Sequence, residues 1–570
     1  MSGDRPSRGG ILRMYGPGSM DHVDPASSYY MLSGQIIRLF TRQLFTYRPV
    51  RHLRSWRQVT PVPDIATEIP TVENGGLSED HLTYKISLRK GVQWDTDSPR
   101  EVTAYDFVRG FKRMCNPVFQ AGAIHYFTST IKGMSEFCDG YAAAVPAVDA
   151  TPEKLAEYQN SHDISGLRAV DDSVLVFELI RPALDFVHIL AMMFASPAPV
   201  EYDALIPDSE EFRRNVRSIG PYRLTHYVHG KELRMAPNPV WRQETDPVRH
   251  QYLDGIEITM EKATPEEVGL RIRADGADLS WASPVTEPYE LNPTDPGNNL
   301  GYALNPYLVF NMVSPNSGGA MGKLAVRQAI AYAIDKSAVV GIFDRLSAGT
   351  VMWPAHSAIP PGNYGHREFD LYQTPGDQGD PEKARALLAE AGYADGLTLT
   401  IVHRDVDANP EVAQSIAADL AKVGITLRFI AMGHADYYPF LQDPANARAG
   451  LWDISAPAWT PDWFGNNGRA FLQPMFQTNQ ARGTGNYGCY SNAETDRLIE
   501  EALSATDPAK ASALWHEIDL QVMRDAAIVP ILVHAPTIPH IRGQRVRNAI
   551  AMPTIDRWFD LSNLWLETSR

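Results

Sequence analysis

The amino-acid sequence predicts an α/β protein. The clearest indication lies at residues 397–429, where an alternating apolar segment, a helical apolar stripe and a second alternating segment follow one another. Strand, helix and strand within about 34 residues form one crossover unit, which makes the two strands parallel. At 570 residues, the chain is too long for one ordinary domain and predicts roughly two to four.

The first half of the chain shows strands on either side of a helix. Residues 82–88 alternate between apolar and polar side chains, as a half-buried strand does. Thr103 is a suitable N-cap for the helix that follows, and residues 173–179 predict another strand. Residues 141–165 are rich in small and polar side chains and predict a surface insertion with a short helix at 152–158.

Helices dominate the second half around the crossover unit. Asp380 is a suitable N-cap, Pro381 occupies the first helical position, and Gly392 ends the apolar stripe. The same spacing of apolar residues predicts two more helices, at 324–336 and 513–525, and the second leads into a strand at 528–533.

The chain is acidic, with a formal net charge of −16. A surface of this sign repels nucleic acid and anionic lipid, so we expect no nucleic-acid partner. It favours neutral or cationic ligands, although an acidic surface that only keeps the protein soluble remains the alternative. No apolar run reaches the length of about 18 residues that a membrane-spanning helix requires.

The first residues carry Arg5 and Arg8 but no apolar core of a secretory signal. A removed leader and a chain that never had one both remain open. Cysteine is scarce, at three residues: Cys115, Cys138 and Cys489. The first two could form a disulfide in an oxidising compartment, and three unpaired core thiols are the alternative.

Catalytic signatures are missing from the sequence. The segment 318–323 lacks the spacing of a phosphate loop, and His516-Glu517 lacks the second histidine of a zinc-protease helix because residue 520 is Leu. No G-x-S-x-G elbow occurs. The sixteen histidines show no close pair at metal-ligand spacing. We therefore expect no catalytic residue, no metal site and no cofactor.

Two loops stand out as candidates for ligand binding. Residues 458–471 read AWTPDWFGNNGRAF, and residues 483–492 read GTGNYGCYSN. Aromatic side chains beside a carboxylate can line a concave site, although a loop that tucks its aromatic rings inward would have the same composition. The candidate residues are Trp459, Thr460, Asp462, Trp463, Tyr487 and Tyr490.

Segments spread over the chain resemble, in order, the oligopeptide/dipeptide-binding family of ABC-importer receptors, the bacterial extracellular solute-binding proteins of family 5. Each segment is a weak match alone, and their order makes the resemblance specific. The chain is also similar to receptor paralogues of antibiotic pathways, such as the clavulanic-acid oligopeptide-binding proteins. The segments are 20–27, 84–117, 131–137, 164–172, 196–202, 218–224 (SIGPYRL), 274–280, 326–336, 458–463 (AWTPDW) and 486–502.

The resemblance implies a periplasmic-binding-protein-like fold with two lobes, a hinge and an extra domain. Such a receptor captures a peptide between its lobes, outside the cytoplasm, and delivers it to the membrane subunits of an ABC importer. It is expected to act as a monomer, at the cell surface or attached to the membrane, with Cys115 and Cys138 bridged. The implied domains are I (1–47, 191–277 and 528–570), II (48–190) and III (278–527).

The resemblance also implies site residues. Asp462 occupies the position whose carboxylate pairs with the ligand's α-ammonium, because a buried ammonium needs a charged partner. Arg42 stands where the family has an acidic residue. It would meet a ligand carboxylate, and a solvated arginine is the alternative.

Two other functions remain open at this level. The same fold could bind a non-peptide or arginine-like intermediate of an antibiotic pathway, where Asp453 and Asp462 would suit a guanidinium. An enzyme that acts on peptides is the third reading, although the missing catalytic motifs weigh against it.

Overall fold

The computed structural model describes residues 5–119, 122–283, 299–346, 351–406, 408–478, 485–535, 541–555 and 558–567. The chain divides into two compact units. The first comprises residues 1–52, 59–287 and 540–570, and the second comprises residues 53–58 and 288–539.

Strands and helices of the described residues are numbered in chain order. The strands are β1 (Ile11–Gly16), β2 (Phe45–Tyr47), β3 (Pro61–Pro63), β4 (Thr83–Ser87), β5 (Gln93–Trp94), β6 (Arg100–Glu101), β7 (Leu167–Asp171), β8 (Val174–Glu178), β9 (Tyr222–Val228), β10 (Glu232–Pro237), β11 (Gly255–Met260), β12 (Leu279–Ser280), β13 (Tyr307–Phe310), β14 (Met352–Pro354), β15 (Leu397–Arg404), β16 (Ile425–Met432), β17 (Ile454–Ser455), β18 (Ile528–Pro530), β19 (Leu532–His534), β20 (Val546–Arg547) and β21 (Trp565–Leu566). The helices are α1 (Met31–Phe40), α2 (Ala104–Met114), α3 (Ile124–Thr128), α4 (Met134–Ala144), α5 (Pro152–Ser161), α6 (Phe186–Ile189), α7 (Glu210–Arg214), α8 (Pro265–Arg273), α9 (Asn316–Gly319), α10 (Leu324–Ala333), α11 (Lys336–Leu346), α12 (Pro381–Glu390), α13 (Asn409–Ala421), α14 (His434–Leu441), α15 (Pro444–Arg448), α16 (Gly468–Phe476), α17 (Ala493–Ser504) and α18 (Pro508–Arg524).

The first unit is built on a mixed five-stranded sheet in the order β12-β1-β11-β10-β9. β1 runs parallel to β11 and to β12, whereas β10 is antiparallel to both of its neighbours. Apolar side chains of this sheet and of α1 form one buried core, to which Trp281 also belongs. Burial of this apolar surface is the main stabilising contribution to the unit.

A smaller antiparallel sheet, β4-β8-β7, lies in the same unit. The predicted strands 82–88 and 173–179 are its paired members β4 and β8. The predicted helix after Thr103 is α2, which begins with a capping box between Thr103 and Asp106. Cys115 and Cys138 are joined by a disulfide between the end of α2 and α4, while the thiol of Cys489 is free and buried.

The predicted surface insertion is more tightly packed than its composition suggested. Tyr141 of α4 is fully buried and stacks on Tyr158 of α5, with ring centroids 4.6 Å apart. α5 begins at Pro152, with the Thr151 side chain accepting the backbone N–H of Lys154. The tyrosine rings therefore pack the two helices together, while residues 142–144 at the end of α4 stay exposed, as expected of a surface insertion.

The second unit contains a five-stranded sheet in the order β16-β15-β17-β13-β18. β15 and β16 are parallel over their full length, from Leu397 opposite Ile425 to Arg404 opposite Met432. Helix α13 connects them, so the predicted crossover unit is confirmed. β17 is also parallel to β15, whereas β13 is antiparallel to β17 and β18.

Two predicted elements of this unit are divided in the structure. The helix predicted at 324–336 ends at Ala333, because Ile334 is extended and the Asp335 carboxylate accepts the backbone N–H of Ala338. Asp335 thereby begins α11 instead of ending α10. The strand predicted at 528–533 becomes β18 and β19, which pair with β13 and β14 respectively.

These pairings also bear on the domain boundaries. The sequence assigned residues 528–570 to domain I, and the strands β18 and β19 of this segment pair within the sheets of the second unit. The segments expected to form domain II and most of domain I lie together in the first unit, and their separation into two domains stays a prediction. Within the described ranges, no helix is long and apolar enough to cross a membrane.

Candidate functional site

Three parallel strands of the second unit end at the same edge of its main sheet. β16, β15 and β17 are neighbours and run in the same direction. Arg404 is the last residue of β15, α14 follows β16, and the aromatic loop 458–467 follows β17. Ligands of open α/β sheets bind at the carboxyl ends of parallel strands. This edge is therefore the candidate site.

The aromatic loop is fixed at both ends. Trp459 and Leu304 exchange two backbone hydrogen bonds of 2.8 and 3.0 Å, and the indole Nε1 of Trp459 donates to the Ala470 carbonyl at 2.8 Å. At the other end, Asn467 donates to the Asn363 side chain at 2.8 Å. Thr460 lies half-buried between these anchors.

Aromatic stacking holds the middle of the loop. Phe464 stacks on Trp56 with centroids 4.1 Å apart and on Tyr302 at 5.3 Å. Trp463 is 0% exposed and donates its Nε1 hydrogen to the Asn466 carbonyl at 3.3 Å. Its ring is thus part of the support of the site rather than an open stacking surface.

The carboxylate of Asp462 interacts electrostatically with Tyr487 of the neighbouring loop. Asp462 is only 6% exposed. Tyr487 is buried, and its burial raises the pKa of its hydroxyl well above the ordinary value, with smaller contributions from Tyr438, Tyr437, Arg404 and Asp462. Because Asp462 raises and Arg404 lowers this pKa, both charges act at Tyr487.

The hydroxyl of Tyr490 is hydrogen-bonded within the protein. Its hydroxyl bonds to Thr495 at 2.8 Å and donates to Asp525 at 2.6 Å. Asn486 braces the loop by accepting the Tyr490 backbone N–H at 2.9 Å and donating to the Tyr490 carbonyl at 2.8 Å. We conclude that Tyr490 orients the loop that carries Tyr487.

A small cavity lies beneath the same loop. Its volume of about 10 Å³ is close to the minimum for one water molecule. Tyr307, Asn486 and Tyr487 are among its lining residues. The Tyr307 hydroxyl is buried, and it has no hydrogen-bond partner among the described residues, so a water in this cavity would satisfy it.

Arg404 is the charged residue of the site that the sequence did not indicate. Its Nη2 donates to the Asn409 side chain at 3.0 Å, and its guanidinium lies 5.8 and 5.6 Å from the ring centroids of Tyr437 and Tyr438. Its Nε is buried with no partner within the described part of the chain. Its position at the carboxyl end of a predicted parallel strand was the available signal.

Comparison with known proteins assigns the family. Residues 60–483 match the family model of the bacterial extracellular solute-binding proteins, family 5 (middle), which is well over half of the chain. The chain belongs to this family. The resemblance inferred from the ordered segments is thereby confirmed.

Individual relatives agree with the assignment. This solute-binding protein is 26% identical to the dipeptide-binding protein of Escherichia coli (strain K12) over 490 residues, which cover 83% of this chain and 82% of the relative. It is also 26% identical to heme-binding protein A of Haemophilus influenzae over 492 residues, 83% of this chain and 80% of the relative. Among solved structures, clavulanic acid biosynthesis oligopeptide binding protein 2 is similar with a TM-score of 0.79 at 24% identity, covering 99% of this chain and 96% of that one. This likeness confirms the periplasmic-binding-protein-like α/β fold.

Arg42 belongs to the first unit of the solute-binding protein, whereas the residues described above belong to the second. Its side chain is 0% exposed and pairs with Asp64 at 2.7 Å and with Asp246 at 3.5 Å. Arg249 pairs with the same two carboxylates, at 2.7 and 3.4 Å. Burial opposes the ionisation of Asp246, but the two arginines outweigh it and lower its pKa. Arg42 is thus neither solvated nor free to turn toward a ligand without breaking buried ion pairs.

Asp453, the second acidic residue considered for a guanidinium ligand, is also occupied. It accepts hydrogen bonds from the Ser314 hydroxyl at 2.6 Å, from Asn316 at 3.1 Å and from the Thr400 backbone at 2.7 Å. These bonds tie β15 to the segment before β17. Of the two, Asp462 is the carboxylate that interacts electrostatically with Tyr487.

Proposed function

We propose that this solute-binding protein is an extracytoplasmic receptor for short peptides, which it delivers to the membrane subunits of an ABC importer. The names of two relatives support a peptide ligand: a dipeptide-binding protein and an oligopeptide-binding protein. A monomeric receptor held at the cell surface fits this role, and no catalytic step on the ligand is part of the proposal.

The observation that carries the proposal is the pair of opposite charges around Tyr487. Asp462 and Arg404 both influence the pKa of the Tyr487 hydroxyl, with opposite signs. A free peptide is a zwitterion, with an ammonium at one end and a carboxylate at the other. A site that offers one carboxylate and one guanidinium among aromatic rings matches both ends.

Each charge has a defined role in this proposal. Asp462 pairs with the α-ammonium, which would otherwise lose its hydration without compensation. Arg404 receives the ligand carboxylate, for which its buried Nε is a donor that lacks a partner among the described residues. Trp459, Thr460 and Trp463 hold the Asp462 loop, while Tyr487 and Tyr490 form and support the neighbouring wall.

Calorimetric titration with matched ligands tests the proposal. The ligands are dipeptides and tripeptides, including arginine-containing ones, each also in N-acetylated and C-amidated form. Asp462→Asn is expected to weaken binding of a free peptide by about 2 to 4 kcal/mol, because it leaves the ammonium unpaired. Asp395→Asn, at an exposed carboxylate of the same unit, is the control and is expected to leave affinity unchanged.

Non-additive effects of a ligand modification and a protein substitution on affinity identify the two groups that are in contact. Acetylation should cost the wild type as much as Asp462→Asn does, and it should cost the variant nothing further. The same relation is expected between C-amidation and Arg404→Gln. Equal affinity of the wild type for free and acetylated peptides would refute the ammonium site. Saturable binding of heme or of an arginine-like metabolite, without binding of peptides, would leave the fold assignment intact and refute the peptide ligand. Cleavage of the peptide would identify an enzyme.

A further inference from the structure

A histidine and two aspartates converge outside the candidate peptide site. His356 follows β14, and Asp370 and Asp377 lie in the connection from β14 to α12. The Nε2 of His356 is 2.9 Å from Asp377 Oδ1 and 3.8 Å from Asp370 Oδ2. The three atoms all lie within 4.8 Å of one another. None of these residues takes part in the site described above.

These distances are close to those of a metal site. A metal ion bound about 2.0 to 2.2 Å from nitrogen and oxygen ligands holds neighbouring ligand atoms roughly 3 to 3.5 Å apart. The two separations from His356, 2.9 and 3.8 Å, bracket this range, and all three atoms lie within 4.8 Å of one another, so the side chains would have to draw together to bind an ion. The side chains are 35%, 22% and 27% exposed, which leaves a path for the ion and room for water as a further ligand.

The donor set selects the class of ion. One imidazole and two carboxylates suit borderline transition metals such as Zn²⁺ and Co²⁺. Ca²⁺ and Mg²⁺ prefer six or more oxygen ligands and bind imidazole poorly. The buried ammonium of Lys336 interacts electrostatically with both carboxylates, which further disfavours ions that depend on negative charge alone.

We propose that His356, Asp370 and Asp377 bind a divalent transition-metal ion, Zn²⁺ above all, which fastens the connection between β14 and α12. The sequence could not indicate this site, since its residues have no motif spacing and meet only through the fold. The competing explanation is that His356 is hydrogen-bonded to Asp377 and that the cluster needs no metal.

Zinc titration of the chelator-treated protein, prepared without a histidine tag, distinguishes the two explanations. The wild type is expected to bind close to one equivalent of Zn²⁺, and Zn²⁺ should raise its unfolding temperature. Co²⁺ should give the visible absorption of a low-symmetry site with a nitrogen ligand. His356→Ala and Asp377→Asn should each weaken binding by more than about tenfold and abolish the stabilisation by Zn²⁺.

The variants are chosen so that the result does not depend on misfolding. Asp377 has a φ of +58°, a conformation that Asn tolerates well, so Asp377→Asn removes the charge without adding strain. His226→Ala is the control, because His226 forms a comparable pair with Glu232 at 3.0 Å in the first unit. Equal zinc binding by the wild type, His356→Ala and Asp377→Asn would overturn the proposal, as would loss of binding in His226→Ala alone.

Discussion

At the scale of single residues, the environment of a charge decides what the charge does. Arg42 and Arg404 are both arginines of a ligand-binding protein. Arg42 is enclosed with Asp64, Asp246 and Arg249, whereas Arg404 has a buried Nε without a partner in the described part of the chain. A buried, paired arginine maintains the fold. A partly unsatisfied arginine at the carboxyl end of a parallel strand can meet a ligand.

This difference predicts the effect of removing Arg42. Arg42→Ala leaves Asp64 and Asp246 with one buried arginine instead of two, and we expect it to lower the free energy of unfolding by about 3 to 5 kcal/mol. Urea denaturation followed by circular dichroism measures the change. Arg497→Ala, which removes an exposed pair with Glu494, is the control and should leave stability unchanged. If Arg42→Ala instead lost peptide affinity at unchanged stability, Arg42 would be a ligand contact.

At the scale of elements, capping determines where helices begin. α2 and α8 both start with a capping box, formed by Thr103 with Asp106 and by Thr264 with Glu267. The box of α8 is exposed. Asp106 is buried and also accepts hydrogen bonds from Arg100 at 2.9 and 3.0 Å and from the Trp94 indole at 3.2 Å.

The two capping boxes therefore predict unequal losses of stability when the acidic residue of each is replaced. Asp106→Ala removes a helix cap and leaves the Trp94 N–H and the Arg100 guanidinium without their acceptor, so it should destabilise the protein by about 3 kcal/mol. Glu267→Ala removes a solvated cap alone and should cost far less. Chemical denaturation of both variants makes the comparison. Equal losses would mean that the contacts of Asp106 beyond the helix contribute nothing.

At the scale of the whole molecule, buried titratable groups make stability depend on pH. Burial outweighs two backbone hydrogen bonds and raises the pKa of Asp519 from 3.8 to about 7. The folded state therefore holds a proton that the unfolded state releases. The resulting contribution to the free energy of unfolding is fully present below pH 3.8 and is lost as the pH rises toward 7. His188 acts in the opposite direction, because burial lowers its pKa from 6.5 to about 4 and its contribution is lost as the pH falls.

The variant Asp519→Asn isolates one of these contributions. Between pH 5 and pH 8, the unfolding free energy of the wild type should fall relative to that of Asp519→Asn by about 1 to 3 kcal/mol. Denaturant midpoints of both proteins across this range measure the difference, in which the contribution of His188 cancels. If the unfolding free energies of the two proteins changed in parallel with pH, the carboxyl of Asp519 would titrate near its ordinary pKa.

Much of the site could be predicted because its signals are local. The aromatic loop with Asp462 is one continuous segment, and the crossover unit from β15 to β16 is visible in the apolar periodicity of residues 397–429. Arg404 and the His356 cluster escaped prediction because their contacts follow no motif spacing and are made only by the fold. The same holds for Arg42, whose partners are Asp64, Asp246 and Arg249.

The sequence by itself determined the α/β class, the helix caps at Thr103 and Asp380, the family and the loop that carries Asp462. These follow from periodicity, local side-chain geometry and ordered motifs, which need no knowledge of distant contacts. Only the tertiary structure decided which strands pair beyond the crossover, which arginine is buried with carboxylates, and which histidine meets two aspartates. Pairing and burial depend on residues that only the folded chain brings together.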